Sequence, residues 1–173
     1  ILVPMKLLQI SIFSTILILN FNLNAQNIKP LKIKIFAQIR SVETLGKKLK
    51  NSKAFLYKNN VLIDSIFSKK GKIFFKITCR DVYKIKFSKL EYTNKHVIIN
   101  TSEIPLNFRK KIKIKADINL FKANENIDVD FLDKTPVSIS SYSFINKKMI
   151  WNFDYNRIIV EMLINAYVHD TLE

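Results

Sequence analysis

Apolar and polar residues alternate along most of the chain between residues 31 and 121. In each alternating stretch the apolar residues fall on one side of an extended backbone, and lysines fill much of the other side. A period of two is typical of antiparallel strands that have one buried face and one solvated face. The clearest stretches are 31–39, 72–79, 83–88 and 111–120.

Turn-forming residues separate these stretches. Asn59 and Asn60 divide two apolar runs, and Gly71 follows a polar run; asparagine and glycine tolerate the positive φ of tight turns. The spacing predicts roughly seven strands, and no helical stretch intervenes that is long enough for a parallel crossover. We therefore predict an all-β fold, a seven-stranded antiparallel β-sandwich spanning residues 26–123.

The pattern changes after residue 123, in a tail of residues 124–173. An acidic linker is followed by short strand-like pieces within 134–145. From Phe153 to Tyr167 the apolar residues recur at helical spacing, and Asp154 is positioned to cap the first turn. This segment predicts a short C-terminal α-helix.

The N-terminal residues have the order of a secretory signal peptide. Lys6 precedes an apolar run over 7–19, and a more polar stretch ends at Ala25. We predict a signal peptide over residues 1–25, with residues 1–4 upstream of the natural start; an uncleaved anchor is the alternative. Export to the periplasm or the outer-membrane surface follows, with membrane contact only through the signal peptide before cleavage.

The chain is strongly basic, with 29 Lys and Arg against 14 Asp and Glu and a net charge of +15. Only four of the basic residues are arginines, whereas proteins that read nucleic acid rely on arginine, so we expect no nucleic-acid partner. Lysines on the polar side of the strands predict a positive surface for an anionic partner, a glycan or an envelope protein. The alternative is a solvated face produced by a lysine-rich composition. The candidate residues are Lys84, Lys86, Lys111, Lys113 and Lys115.

Four carboxylates cluster in the acidic linker and form the candidate metal site: Glu125, Asp128, Asp130 and Asp133. Oxygen ligands suit Ca²⁺, but the segment lacks the glycine and the regular spacing of a known calcium loop. A solvated acidic connection that faces the lysine-rich sheet is therefore the favoured interpretation.

The sequence contains few signs of catalysis. Two glycines leave no room for a Gly-rich phosphate loop, and no serine lies in a GxSxG turn. The two histidines, His96 and His169, lie far apart, and His96 is flanked by strand residues, so a buried strand histidine is favoured over a metal ligand. We therefore predict no enzyme activity and no cofactor.

Three segments resemble the carboxypeptidase regulatory-like (transthyretin-like) β-sandwich module. They are a Gly–Lys turn leading into a strand (46–57), a turn followed by Gly-x-aromatic-x-aromatic (68–75, where the sequence reads SKKGKIFF), and a Tyr-x-apolar-x-apolar strand with its corner (83–92). In this chain Asn51 and Glu91 replace two of the family's glycines, and Ala37 a third.

Further segments resemble secreted Bacteroidetes-type envelope proteins that carry this module: Leu120-Phe121, 136–139 and Phe153-Asp154-Tyr155. The resemblance implies a transthyretin-like or immunoglobulin-like sandwich. It also implies an exported, non-catalytic structural or interaction module of the bacterial cell envelope. The alternative function is a glycan- or anion-binding protein that uses the lysine-rich sheet face.

Overall fold

The computed structural model describes residues 31–124 and 127–170, which belong to one compact unit. The predicted signal peptide and Glu125 lie outside the described residues. In chain order the elements are β1 (Lys32–Ser41), β2 (Ser52–Lys58), β3 (Val61–Ser68), β4 (Lys72–Thr78), β5 (Val82–Ser88), β6 (Lys95–Asn100), β7 (Ile112–Leu120), α1 (Phe131–Lys134), β8 (Ser138–Ser143), β9 (Lys148–Trp151) and α2 (Phe153–Asp170).

The strands form two sheets around a shared core. One sheet has three strands in the order β4-β1-β7, and the other has six in the order β3-β2-β5-β6-β8-β9. The alternating apolar residues point inward from both sheets, with Ile35 of β1, Phe75 of β4 and Ile85 of β5 among the buried residues of one cluster. The predicted all-β class, with two sheets and a C-terminal helix, is confirmed.

The strand count and the strand directions differ from the prediction. The described residues form nine strands rather than seven, because β8 and β9 extend the six-stranded sheet. The fold is also not purely antiparallel: β1 and β7 are parallel, and so are β6 and β8. The chain between β1 and β7 returns through strands of both sheets, so a parallel pair forms without the helical crossover that we considered necessary.

Several tight turns use residues other than glycine at positive φ. Asn59 and Asn60 have φ values of 48° and 66°, and the corner residue Glu91 has a φ of 68°. Gly71 has no such substitute, because a Cβ atom at this position would lie 2.7 Å from the carbonyl oxygen of Leu49. Asparagine thus occupies three of the seven positive-φ positions that residues other than glycine take in the described part of this glycine-poor chain.

The C-terminal helix α2 packs beside β8, with Ile159 buried against Phe121 in a second small core. It extends three residues beyond the predicted end at Tyr167. Asn152, rather than the predicted Asp154, caps the helix, because its side-chain oxygen accepts a hydrogen bond from the backbone N–H of Tyr155 at 3.0 Å. No helix in the described part of the chain is both long and apolar enough to cross a membrane.

Candidate functional site

The five lysines predicted to bind an anion lie on two different sheets. Lys84 and Lys86 are on β5 of the six-stranded sheet, whereas Lys113 and Lys115 are on β7 of the three-stranded sheet and Lys111 directly precedes β7. Neighbouring residues of both strands point into the shared core. The two sets of lysines therefore face away from each other, and the structure does not bring all five together.

The outer side of the three-stranded sheet is basic and aromatic. Lys34 of β1 lies directly across from Lys76 of β4 and Lys113 of β7. The next outward row places Phe36 between Phe74 and Lys115, and the two phenyl rings are 4.9 Å apart. We call this surface the basic face; its exposed members are Lys32, Lys34, Phe36, Lys72, Phe74, Lys76, Lys113 and Lys115.

Charge on the basic face is almost uncompensated. Among the described residues, no carboxylate pairs with its lysines; the nearby ion pair, 3.7 Å between Arg40 and Asp117, lies at one end of the sheet. Like charges directly opposite each other on neighbouring strands destabilise a sheet. The row Lys76–Lys34–Lys113 therefore carries an electrostatic cost that a bound anion would relieve.

The lysines on the opposite side of the sandwich are engaged within the protein. The Nζ atom of Lys86 is 3.2 Å from a carboxylate oxygen of Asp133, and the Nζ atom of Lys84 lies 4.9 Å from the ring centre of Tyr57. These contacts leave β5 less suited to hold an external anion than the basic face.

The acidic segment does not form a metal site within the described residues. There, no group of three or more acidic, histidine or cysteine side chains converges closely enough to hold an ion. Asp128 accepts a hydrogen bond from the backbone N–H of Asp130, and Asp133 pairs with Lys86. Glu125 lies outside the described residues, and the contact to Lys86 agrees with an acidic connection that faces the lysine-rich sheet.

His96 is a buried strand residue. Its ring Nδ1 donates a hydrogen bond to the carbonyl oxygen of Leu132 in α1, at 3.2 Å. Burial lowers the pKa of the imidazole, and the hydrogen bond to Leu132 opposes this only in part. The preference for a structural histidine over a metal ligand is thus in keeping with its position.

A groove that sequence reasoning missed runs between β7 and α2. It consists of two adjoining cavities of about 410 Å³ and about 360 Å³, which share Lys95, Val160 and Leu163. The first is bounded by the edge of β7, by Trp151 and by the start of α2; the second continues along α2 past Phe121 to Tyr167. Pockets of this size are typical of sites for small molecules.

Lys95 lies where the two cavities meet. Only 8% of the residue is exposed, and its Nζ atom donates a hydrogen bond to the carbonyl oxygen of Asn119 at 2.7 Å. The same atom lies 4.5 Å from the ring centre of Phe121. Burial lowers the pKa of this amine to about 8, although the charge of Glu43 acts in the opposite direction.

One feature of the sequence could have indicated Lys95. It has the same parity as Val97 and Ile99, which are buried on β6, so the alternation places a lysine in an inward position. A charged residue on the buried side of a strand is a candidate functional residue.

Comparisons with known proteins identify no family for this chain. No family model matches it, and no curated protein matches it. The solved structures that resemble it include catechol 1,2-dioxygenase from Pseudomonas arvilla C-1, with a TM-score of 0.42 and 9% identity over 59% of this chain and 55% of that one. A 3-chlorocatechol 1,2-dioxygenase from Rhodococcus opacus 1CP gives a TM-score of 0.40 and 7% identity, over 57% of this chain and 62% of the other.

A third structure is catechol 1,2-dioxygenase from Acinetobacter sp. ADP1 inhibited by bound mercury, with a TM-score of 0.41 and 10% identity over 65% of this chain and 58% of that one. This chain thus spans 55–62% of the length of the three structures. All three are enzymes, and this finding contradicts our expectation that the chain is not an enzyme. A likeness at these TM-scores carries no argument for a particular activity.

Proposed function

We propose that this chain is an exported interaction module of the bacterial cell envelope that binds an anionic glycan through the basic face. The observation that carries the proposal is the row in which Lys34 is flanked by Lys76 and Lys113. Neighbouring strands lie about 4.8 Å apart, so this row presents three ammonium groups within roughly 10 Å. A polymer with a negative charge on each repeat unit offers matching groups at such short intervals.

The aromatic pair at the centre of the basic face supports a glycan over a simple ion. Phe36 and Phe74 are both partly exposed and pack against each other. They give the face an apolar patch, surrounded by lysines, on which the flat apolar side of a sugar ring can pack. Lysine contributes a point charge rather than a rigid fork, which suits a repetitive polymer better than one defined anionic group.

We propose further that the sandwich is a carboxypeptidase regulatory-like module with a transthyretin-like or immunoglobulin-like arrangement. The support comes from two turns. Asn51 and Glu91 stand where the family carries glycine, and both have positive φ, at 54° and 68°. The backbone conformation that glycine favours is thus retained at these positions although the residue has changed.

Two triple variants with equal loss of charge test the basic face. The first is Lys34→Gln, Lys76→Gln and Lys113→Gln; the control is Lys53→Gln, Lys84→Gln and Lys86→Gln, on the other sheet. We expect the first variant to elute from a polyanionic glycan column at much lower salt than the wild type, and the control to elute near the wild type.

If both variants lose retention equally, only net charge matters and the basic face is not a binding site. If the wild type itself is not retained, a structural role without an anionic ligand replaces the binding proposal.

Export has a separate test, because the mass of the protein recovered from the periplasm or the cell surface reports its first residue. We expect that residue to be Gln26; recovery from the cytoplasm would contradict the envelope assignment.

A further inference from the structure

The groove between β7 and α2 is apolar on most of its lining but has a buried amine at its centre. Its walls include the side chains of Val97, Val137, Trp151, Ile159 and Leu163. The amine is that of Lys95, which lines both cavities of the groove. Lys115 and Asp117 of β7 also border the first cavity, but both are exposed, so Lys95 carries the one buried charge among the described lining residues. An apolar channel with one buried cationic group fits a ligand that is itself apolar and carries one anionic group.

Lys95 has unused capacity to bind such a group. An ammonium has three N–H donors, and among the described residues only the carbonyl oxygen of Asn119 accepts from it. In the described part of the chain, no carboxylate lies within ion-pairing distance of its Nζ atom. A buried charge without a counter-ion is costly, so an anion that enters the groove would gain a charge-assisted hydrogen bond and relieve that cost.

A second polar group in the first cavity is also unsatisfied. The Oδ1 atom of Asn156 is buried and has no hydrogen-bond partner in the described part of the chain. Since the side-chain amide of asparagine can present either its oxygen or its nitrogen, Asn156 can also contact the polar end of a ligand or a water molecule beside it.

The edge of β7 is closed to an incoming strand, which argues against a peptide ligand. Trp151 donates from Nε1 to the carbonyl oxygen of Lys115 at 3.0 Å, and Lys95 donates to that of Asn119. These two contacts occupy outward backbone acceptors at both ends of the segment that borders the groove. A peptide added to β7 would have to displace both.

We propose that this groove binds an alkyl carboxylate of the fatty-acid class. The carboxylate accepts hydrogen bonds from the Lys95 ammonium, and the alkyl chain lies along α2 against Val160 and Leu163. The site is distinct from the basic face, and the proposal does not depend on glycan binding.

Trp151 provides the readout, because it is the only tryptophan of the chain and lines the groove. The purified protein is titrated with dodecanoate below its micellar concentration, and tryptophan emission is followed. We expect a saturable change for dodecanoate, and weaker binding of dodecanol and of dodecyltrimethylammonium. In Lys95→Met the affinity for dodecanoate should fall about tenfold or more, while dodecanol binding stays the same.

Matched variants separate the groove from general charge and from folding defects. Lys113→Met removes the same charge from the basic face and should leave dodecanoate binding unchanged. Val160→Glu adds a carboxylate inside the groove and should abolish binding, whereas Ile158→Glu lies outside the groove lining and should not; both residues are 52% exposed, so neither change disrupts a core. The second pair keeps the test valid if Lys95→Met does not fold.

Three outcomes would overturn the proposal. Equal binding of dodecanoate and dodecyltrimethylammonium would show a generic apolar surface. Unchanged dodecanoate binding in Lys95→Met would show that the Lys95 amine does not take part in binding. Absence of binding in a protein that is dimeric, and that becomes monomeric in Val160→Glu, would show that a second copy fills the groove.

Discussion

Lys86 on β5 and Asp133 in α1 form an ion pair, with 3.2 Å between the ammonium nitrogen and a carboxylate oxygen. One residue proposed from sequence as an anion-binding lysine and one proposed as a metal ligand are therefore partners of each other. The contact holds α1 over the outer side of the six-stranded sheet, where Leu132 also accepts the hydrogen bond from His96. This side of the sandwich is partly covered by the chain itself, whereas no element among the described residues covers the basic face on the opposite side.

We expect the Lys86–Asp133 pair to contribute less than about 1 kcal/mol to stability, because exposed ion pairs are screened by solvent. The side chains are 35% and 62% exposed. A double-mutant cycle with Lys86→Gln and Asp133→Asn, followed by urea unfolding, measures the coupling. A coupling energy well above this limit would mean that the pair is an essential attachment of α1.

Acid should destabilise the protein through His96. Burial lowers the imidazole pKa in the folded state below the ordinary value of 6.5, so the unfolded chain binds a proton first as the pH falls. The free energy of unfolding should therefore decrease as the pH falls below about 6.5. In His96→Gln this part of the pH dependence should disappear, as urea unfolding at pH 7.5 and pH 5 would show. An equal loss of stability in both proteins would assign the effect to other groups.

Lys95 should extend the same trend, higher stability at higher pH, to the alkaline side. Its pKa is about 8 in the folded protein against 10.5 for an ordinary lysine, so between these values the unfolded chain holds the proton and the folded chain does not. Stability should consequently rise as the pH increases from 8 towards 10, by up to about 3 kcal/mol at 1.36 kcal/mol for each pKa unit.

The comparison with Lys95→Met isolates this contribution, because the variant cannot gain it. Tyr155 and Tyr167 have pKa values raised by burial and act in the opposite direction above pH 10, so the measurement stays below that value. A wild type that loses stability over this range relative to the variant would contradict the buried position of the amine.

Glu91→Gly should stabilise the protein by about 1 kcal/mol. Glu91 adopts a φ of 68°, which is unfavourable for a residue with a Cβ atom and costs glycine little. Thermal unfolding of the variant measures the gain. Gly71→Ala is the converse control: its φ is also positive and its new Cβ would clash with the backbone of Leu49, so it should destabilise by more than about 1 kcal/mol. If Glu91→Gly left the thermal stability unchanged, other contacts of the glutamate would offset the backbone strain.

The sequence predicted which residues face the core better than it predicted which strands are neighbours. The alternation in β1 and β7 correctly placed Ile33, Ile35 and Ile114 inside, because side-chain direction depends only on the local backbone. Strand pairing depends on contacts between distant segments, and alternation carries no information about them. For this reason the parallel β1–β7 pair was missed, and so was the addition of β8 and β9 to the six-stranded sheet.

The same limit applies to the candidate sites. A row of lysines on β7 is visible in the sequence, but its combination with Lys34 and Lys76 requires the order β4-β1-β7. The groove was less accessible still, because Lys95, Trp151 and Val160 belong to three different elements that meet only in the folded chain. Only the inward parity of Lys95 gave a local sign of it.

The central position of β1 in its sheet has a consequence for the order of folding. Its partner β7 is synthesised only after β2 to β6. Pairing β1 with β7 therefore closes the long stretch of chain between them, which is entropically slow. One edge of β1 therefore stays unpaired until late, open to wrong partners. Since the row Lys76–Lys34–Lys113 needs all three strands, a partially folded chain lacks the complete surface, and ligand binding would report that folding has finished.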